Sequence, residues 1–279
     1  LENTFFGKYQ KHYKQELTMQ IHSKLGKASI SDLSIMQRSL LFAELASIAY
    51  CDKDKATKLA KQIGFTTVEF YDKHGAQAYR FLNTRDCVIA CRGTEPTELN
   101  DIAADLRAAP VKSESVSRVH KGFKKEVDDL WPMIIDDVAR LKKRTLWFCG
   151  HSLGAAMATI MASRCWYDDA LMDPTGLYTY GSPRAGWRGF VKTLAVPHVR
   201  WVNNNDIVTT VPPAFLGYRH DGQEFYLNAY GKLRKLTVWQ RIKDKCRGLW
   251  MGIKQGGIDS FSDHSMANYI AHILNNQEK

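Results

Sequence analysis

Apolar and polar positions along this chain recur with two periods, one of two residues and one of helical spacing, and together they predict a β/α succession. Residues 66–71 and Ala76–Leu82 alternate on either side of Asp72-Lys73-His74-Gly75 and predict a hairpin. Apolar runs at Asp86–Cys91 and 145–149 predict strands, as do 177–180, 198–202 and 224–227. Residues 39–50 and Lys53–Ile63 read as helices, the second stopped by Gly64. Between 125 and 142, Val127, Leu130, Ile134, Val138 and Leu141 share one helical face, with a bend expected at Pro132. Leu153–Trp166 offers Ala155, Ala156, Met157, Ala158, Ile160, Met161 and Ala162 as a compact apolar surface. Residues 1–28 are polar and basic, so the expected organisation is an accessory helix or arm over 1–37 and a single α/β domain over 38–279.

Two further segments are amphipathic. Thr97 can cap a short helix on which Leu99, Ile102, Ala103 and Leu106 follow helical spacing, with Glu98, Asp101 and Asp105 facing water. Such a helix is either fixed or a lid that moves. Over 237–254, Trp239, Ile242, Cys246, Leu249, Trp250 and Ile253 form one stripe, and Arg241, Lys243, Lys245, Arg247 and Lys254 form a basic remainder. The expectation is that the stripe packs on the body near His264; insertion into lipid as an interfacial anchor is the alternative.

The chemistry concentrates at Gly150-His151-Ser152-Leu153-Gly154. A bare Gly-x-Ser-x-Gly arises by chance in roughly one in ten chains of this length, so the strand before it and the helix after it carry the argument. A strand that turns abruptly into a helix forces its corner residue into strained backbone angles, and glycines on either side remove colliding Cβ atoms. Ser152 then projects its hydroxyl from the top of a sheet, beside a helix N-terminus whose free N–H groups suit a developing oxyanion.

A serine hydroxyl is a poor nucleophile at neutral pH and needs a histidine to take its proton and an acid to orient that histidine. In sheets of this kind the chain order is Ser, Asp or Glu, then His. Asp206 follows the strand at 198–202 through Asn203-Asn204-Asn205, which puts it at the carboxyl end of a strand. An asparagine-rich turn with a capping aspartate is the plainer reading of it. His264 comes later, on the loop before a terminal helix, while His151 points away from the nucleophile beside it. His198 lies in a strand, His272 lies in a helix, and His220 is the serious rival, read as a loop-ordering residue. Arg92-Gly93-Thr94 opens a strand into a loop, so the N–H groups of Thr94 and Leu153 can together bind a tetrahedral oxyanion.

With these residues the chain resembles the class 3 lipases, the fungal-type triacylglycerol lipase family with bacterial members. The likeness runs through 89–94, 101–106, Val119-His120-Lys121-Gly122-Phe123, the Gly150 to Gly154 elbow, 178–183, 202–213 and Asp263-His264, from about Arg38 onward. It implies an α/β-hydrolase fold, a central mostly parallel sheet with helices on both faces, for the catalytic domain. It implies Ser152, Asp206 and His264 as a triad and Thr94 and Leu153 as the oxyanion hole. The implied activity is hydrolysis of carboxylic esters of lipids through an acyl-enzyme, with no metal or cofactor. A carboxylesterase or phospholipase is the runner-up, and a catalytically silent lipid-binding or interaction protein is the alternative from a different class.

Composition narrows this little further. The 279 residues carry a formal charge of +10, but no nucleic-acid module accompanies it, and an anionic lipid surface or acidic substrate suits the hydrolase parts better. The six cysteines lack zinc-like spacing and lie largely on apolar segments, which points to a reducing, cytoplasmic setting; Leu1 in place of methionine leaves a removed leader open. No apolar run is long enough to span a bilayer.

Overall fold

In the computed structural model of the chain, the described residues are 19–93, 109–141, 143–254 and 262–277. Residues 19–34 run across the body: Leu25 and Ile30 are buried, and the buried Glu44 accepts the N–H groups of His22 (2.7 Å) and Ser23 (3.1 Å). Helix α1 (Ile35–Ile48) begins ahead of residue 39 because Ser34 and Gln37 close a reciprocal capping box. The break expected after residue 37 therefore falls within α1. Helix α2 (Lys53–Ile63) starts on Asp52, which accepts the Lys55 N–H, and stops at Gly64 with φ 119°.

The chain continues through β1 (Thr67–Lys73), β2 (Ala76–Leu82), β3 (Asp86–Cys91), β4 (Pro110–Lys112), β5 (Arg118–His120), α3 (Lys121–Ala139), β6 (Thr145–His151) and α4 (Leu153–Trp166). It then forms β7 (Gly176–Tyr180), β8 (Gly186–Trp187), α5 (Arg188–Thr193), β9 (His198–Asn203), β10 (Tyr218–Arg219), β11 (Gln223–Leu227), β12 (Leu233–Arg234), α6 (Val238–Lys254) and α7 (Met266–Gln277). Helix α3 starts a turn earlier than residue 125 because the His120 ring caps it, accepting the Phe123 N–H.

Among the described residues, eight strands form the central sheet in the order β1-β2-β3-β6-β7-β9-β11-β12. Strands β3, β6, β7, β9 and β11 are mutually parallel, and β1, β2 and β12 add antiparallel edges. This is the α/β-hydrolase arrangement expected from the sequence. A second sheet, β10-β8-β5-β4, is antiparallel throughout. Its strands are too short to leave a readable period in the sequence.

Alternation assigns each face of the central sheet to its helices. Val88, Ala90, Trp147, Cys149, Tyr178 and Tyr180 share one core with residues of α1, α2 and α7. Cys87, Ile89, Cys91, Leu146, Phe148 and Leu177 share the other with α3, α4 and α5. Both faces are covered, which is why the parallel strands read as continuous apolar runs.

Helix α6 departs from expectation. Trp239 is 75% exposed, Ile242 is 48% exposed, and Cys246 also faces water, so this part of the stripe does not pack on the body. The inward face is polar instead: Arg241 bonds Glu224, and the buried Asp244 accepts the Tyr226 hydroxyl. The side chains of Leu249, Trp250 and Ile253 lie outside the described residues, as do Thr94 and the helix expected over 97–106 with Leu99, Ile102, Ala103 and Leu106.

Candidate active site

Ser152 stands between β6 and α4 with φ 58° and ψ −131°, a left-handed conformation that a serine adopts only under constraint. The constraint is steric on both sides. A Cβ on Gly150 would overlap the backbone of Gly154 and Ala155, and one on Gly154 would overlap the backbone of Cys91 and Arg92 at the end of β3. Gly93 is equally confined, since its Cβ would meet the Tyr50 hydroxyl, the His151 carbonyl and, at 3.1 Å, Cβ of Ser152. The residue after Ser152, Leu153, begins α4, where N–H groups have no intrahelical acceptor.

Asp206 follows β9 and caps the 3₁₀ turn Ile207–Thr210. It is fully buried, and its two carboxylate oxygens are satisfied on several sides. Oδ1 accepts the Val208 N–H at 3.0 Å, Oδ2 accepts the Tyr269 hydroxyl at 2.7 Å, and both lie 2.9 Å from Nδ1 of His264. The Tyr269 hydroxyl in turn accepts the Asn203 N–H at 3.0 Å. Burial and the adjacent Asp206 push the Tyr269 phenol well above its usual range, so it remains a donor.

With Nδ1–H committed to the carboxylate, His264 keeps the lone pair on Nε2. That atom is buried and has no hydrogen-bond partner among the described residues. Gly181 joins this pair to the elbow. The carbonyl of the preceding residue, Tyr180, accepts the Ser152 N–H at 3.1 Å, and a Cβ at Gly181 itself, φ 57°, would fall 2.6 Å from Asp206 Oδ2 and 2.8 Å from the His264 ring. The loops are also tied: Asn203 Nδ2 donates to the Asp263 carbonyl (2.9 Å), and the Asn205 N–H donates to Asp263 Oδ2 (3.2 Å). The sequence-predicted Ser152, Leu153, Asp206 and His264 thus converge at the carboxyl ends of β6 and β9; Thr94 lies outside the described residues.

His151 has a role that the sequence reading does not give it. Its Nδ1 accepts the Tyr50 hydroxyl at 2.9 Å, and its Nε2–H donates to the His264 carbonyl at 2.7 Å. The two imidazoles lie 4.3 Å apart between centroids. Burial, then the proximity of His264, holds the His151 pKa well below its ordinary value, so the ring is neutral. Strand parity carries the signal for this: Trp147 and Cys149 point to the face shared with α1 and α7, and residue 151 follows in step.

The other histidines are engaged elsewhere. His220 donates through Nε2 to the Thr209 carbonyl at 2.7 Å. His198 lies between Thr179 Oγ1 (2.8 Å) and Asp221 Oδ2 (3.0 Å), and His272 lies against Gly231. Among the described residues no cluster of three or more His, Cys, Asp or Glu side chains is placed to hold a metal ion.

Residues 88–216 match the profile of the class 3 lipases, a stretch that runs from β3 through the elbow and Asp206 and ends before His264. That stretch of the chain is similar to the class 3 lipases. Similar proteins include a lipase of Rhizomucor miehei, 30% identical over 189 residues that cover 64% of this chain and 50% of that protein. Secreted mono- and diacylglycerol lipase 1 of Fusarium solani is 34% identical over 146 residues, 50% of this chain and 42% of that one. Toxin TseL of Vibrio cholerae is 35% identical over 119 residues, 41% of this chain and 18% of that one. The chain therefore spans at most half the length of these three relatives. Among solved structures, Rhizomucor miehei triacylglyceride lipase superposes with a TM-score of 0.59 at 24% identity, covering 70% of this chain and 81% of that one. That likeness establishes a common fold.

Proposed function

We propose that this protein hydrolyses carboxylic ester bonds of lipids, as a triacylglycerol lipase acting through Ser152, His264 and Asp206. The observation that carries the reading is the state of His264: Nδ1 is held by both oxygens of a buried carboxylate, Nε2 is buried with no hydrogen-bond partner among the described residues, and its backbone is tied to His151, the neighbour of the strained Ser152. In the first half-reaction Ser152 Oγ attacks the ester carbonyl as Nε2 takes its proton. The oxyanion is received by the Leu153 N–H and, in this reading, by that of Thr94. Collapse expels the alcohol, which takes the proton from Nε2, and leaves an acyl-serine. Water then repeats the sequence and releases the fatty acid. Asp206 stays ionised throughout and stabilises the imidazolium.

In this proposal residues 38–279 are the catalytic domain and 1–37 an accessory arm, which contributes the first turn of α1 and the buried Leu25 and Ile30 to the same core. The lipid ester is the partner, and the formal charge of +10 favours weak association with anionic lipid surfaces. The similarity to the Rhizomucor and Fusarium lipases supports lipid esters over other acyl compounds. Rates on p-nitrophenyl esters from acetate to palmitate, compared with triolein emulsion and phospholipid vesicles, test the assignment. Release of fatty acid from triolein is expected. Turnover of phospholipid alone, or of short soluble esters alone, would reassign the protein to a phospholipase or carboxylesterase.

A further inference from the structure

Over residues 238–248, helix α6 is amphipathic in the reverse sense. A surface helix normally turns its apolar stripe to the core, whereas here the inward positions are Arg241, Asp244, Lys245 and Gly248. Arg241 bonds Glu224 and lies over the Tyr226 ring, 4.3 Å from its centroid. Asp244 is buried and accepts the Tyr226 hydroxyl and the Ala229 N–H, both at 3.1 Å. The Lys245 carbonyl accepts Nδ2 of Asn205 at 3.2 Å, and a Cβ on Gly248 would run into the amides of Asn204 and Asn205. These contacts fix the helix rotation and leave Val238 (75% exposed), Trp239 and Ile242 facing out.

Along the chain, the exposed charges flanking that apolar face have one sign. Arg234, Lys235, Lys243 and Arg247 are exposed, and the one acidic residue between 234 and 248, Asp244, is buried. No helix among the described residues is long and apolar enough to cross a membrane. An exposed tryptophan and branched aliphatics ringed by cations are the features of a helix that lies in the plane of an anionic bilayer.

We propose that α6 seats the protein on an anionic lipid surface, with Val238, Trp239 and Ile242 among the acyl chains and Arg234, Lys235, Lys243 and Arg247 on the headgroup phosphates. The inference deepens the hydrolytic reading and rests on it for its purpose. The inner face of α6 holds Asn204 and Asn205, the two residues before Asp206, so seating the helix brings the rim of the active site to the lipid. Insertion of the apolar face is what distinguishes this from purely electrostatic docking.

The test uses the full chain carrying Ser152→Ala, which leaves the vesicles intact, and vesicles of phosphatidylcholine and phosphatidylglycerol in equal parts. Brominated acyl chains are expected to quench a fluorescence component that disappears in Trp239→Phe. Partitioning should fall by about tenfold or more in Trp239→Ser/Ile242→Ser, and should collapse in Lys243→Glu/Arg247→Glu and on pure phosphatidylcholine. Built on Ser152, both double variants should retain hydrolysis of a soluble butyrate ester, which shows that they fold. Unquenched Trp239, unchanged partitioning of the Ser double variant, or a concentration-dependent dimer that disappears with Trp239→Ser would overturn the proposal. Quenching of Trp239 together with no ester hydrolysis by the Ser152 protein would leave the docking in place and remove the hydrolytic reading instead.

Discussion

His151 donates its Nε2–H to the carbonyl oxygen of His264 across 2.7 Å, so the residue preceding the candidate nucleophile holds the backbone of the candidate base. The carboxylate fixes the His264 ring at Nδ1, and His151 fixes its main chain. Both restraints are buried, and neither touches the position where an ester would react.

His151 is therefore a positioning residue. His151→Phe keeps a ring in place but loses both hydrogen bonds, and small displacements of a reacting group cost on the order of 10²-fold in rate. On a soluble ester the loss should fall on kcat with KM little changed, and His151→Gln, which retains a donor, should recover part of it. Tyr50→Phe, which leaves the buried Nδ1 of His151 without this donor, should lower stability by about 1–3 kcal/mol in denaturant titration.

Tyr269 is expected to matter through Asp206. Tyr269→Phe removes a donor from Oδ2 and strips the Asn203 N–H of its acceptor. Loss of about 1–3 kcal/mol in stability is expected, with kcat reduced about tenfold as the carboxylate gains freedom to turn from Nδ1. Chemical denaturation and initial rates on one preparation measure both.

The elbow stores strain that glycine would release. Ser152→Ala keeps a Cβ at φ 58°, whereas Ser152→Gly removes it, and relief of a left-handed non-glycine residue is worth about 1–2 kcal/mol. Both variants should be inactive, and Ser152→Gly should have the higher denaturant midpoint. Equal midpoints would show that the elbow is unstrained.

Stability should decline on the acid side of neutrality. Burial holds His151, His198 and His220 below their ordinary pKa, for His151 and His220 well below it. A depressed folded-state pKa gives stability that is fully present above the unfolded value, about 6.5. It is lost as pH falls through the window toward the folded values, because the unfolded chain takes up the protons first. Each histidine contributes a slope of up to about 1.4 kcal/mol per pH unit in its window. Unfolding free energies from pH 8 downward should show this decline, and His220→Gln should make it shallower.

Much of the site is legible in the sequence because local rules place it. The elbow follows from glycines flanking a serine at a strand-to-helix corner, and Asp206 from its position after an apolar strand. Helices Lys53–Ile63 and Leu153–Trp166 keep their expected bounds because a cap and a left-handed glycine define the first and the corner at Ser152 defines the second. What escapes is tertiary. Tyr50 meets His151 across 101 residues of chain, and Tyr269 meets Asp206 across 63, distances over which periodicity says nothing. Helix α6 is readable as amphipathic but not in orientation, since only partners such as Glu224, Tyr226 and Asn205 determine which face turns inward.

The central claim is that Ser152 is the nucleophile, and covalent trapping tests it most directly. A p-nitrophenyl alkylphosphonate should release one equivalent of p-nitrophenol as activity disappears, and peptide mapping by mass spectrometry should find the phosphonyl group on Ser152. Ser152→Ala should take up none. An adduct on any other residue with parallel loss of activity, or turnover by Ser152→Ala close to that of the unaltered protein, would contradict the account.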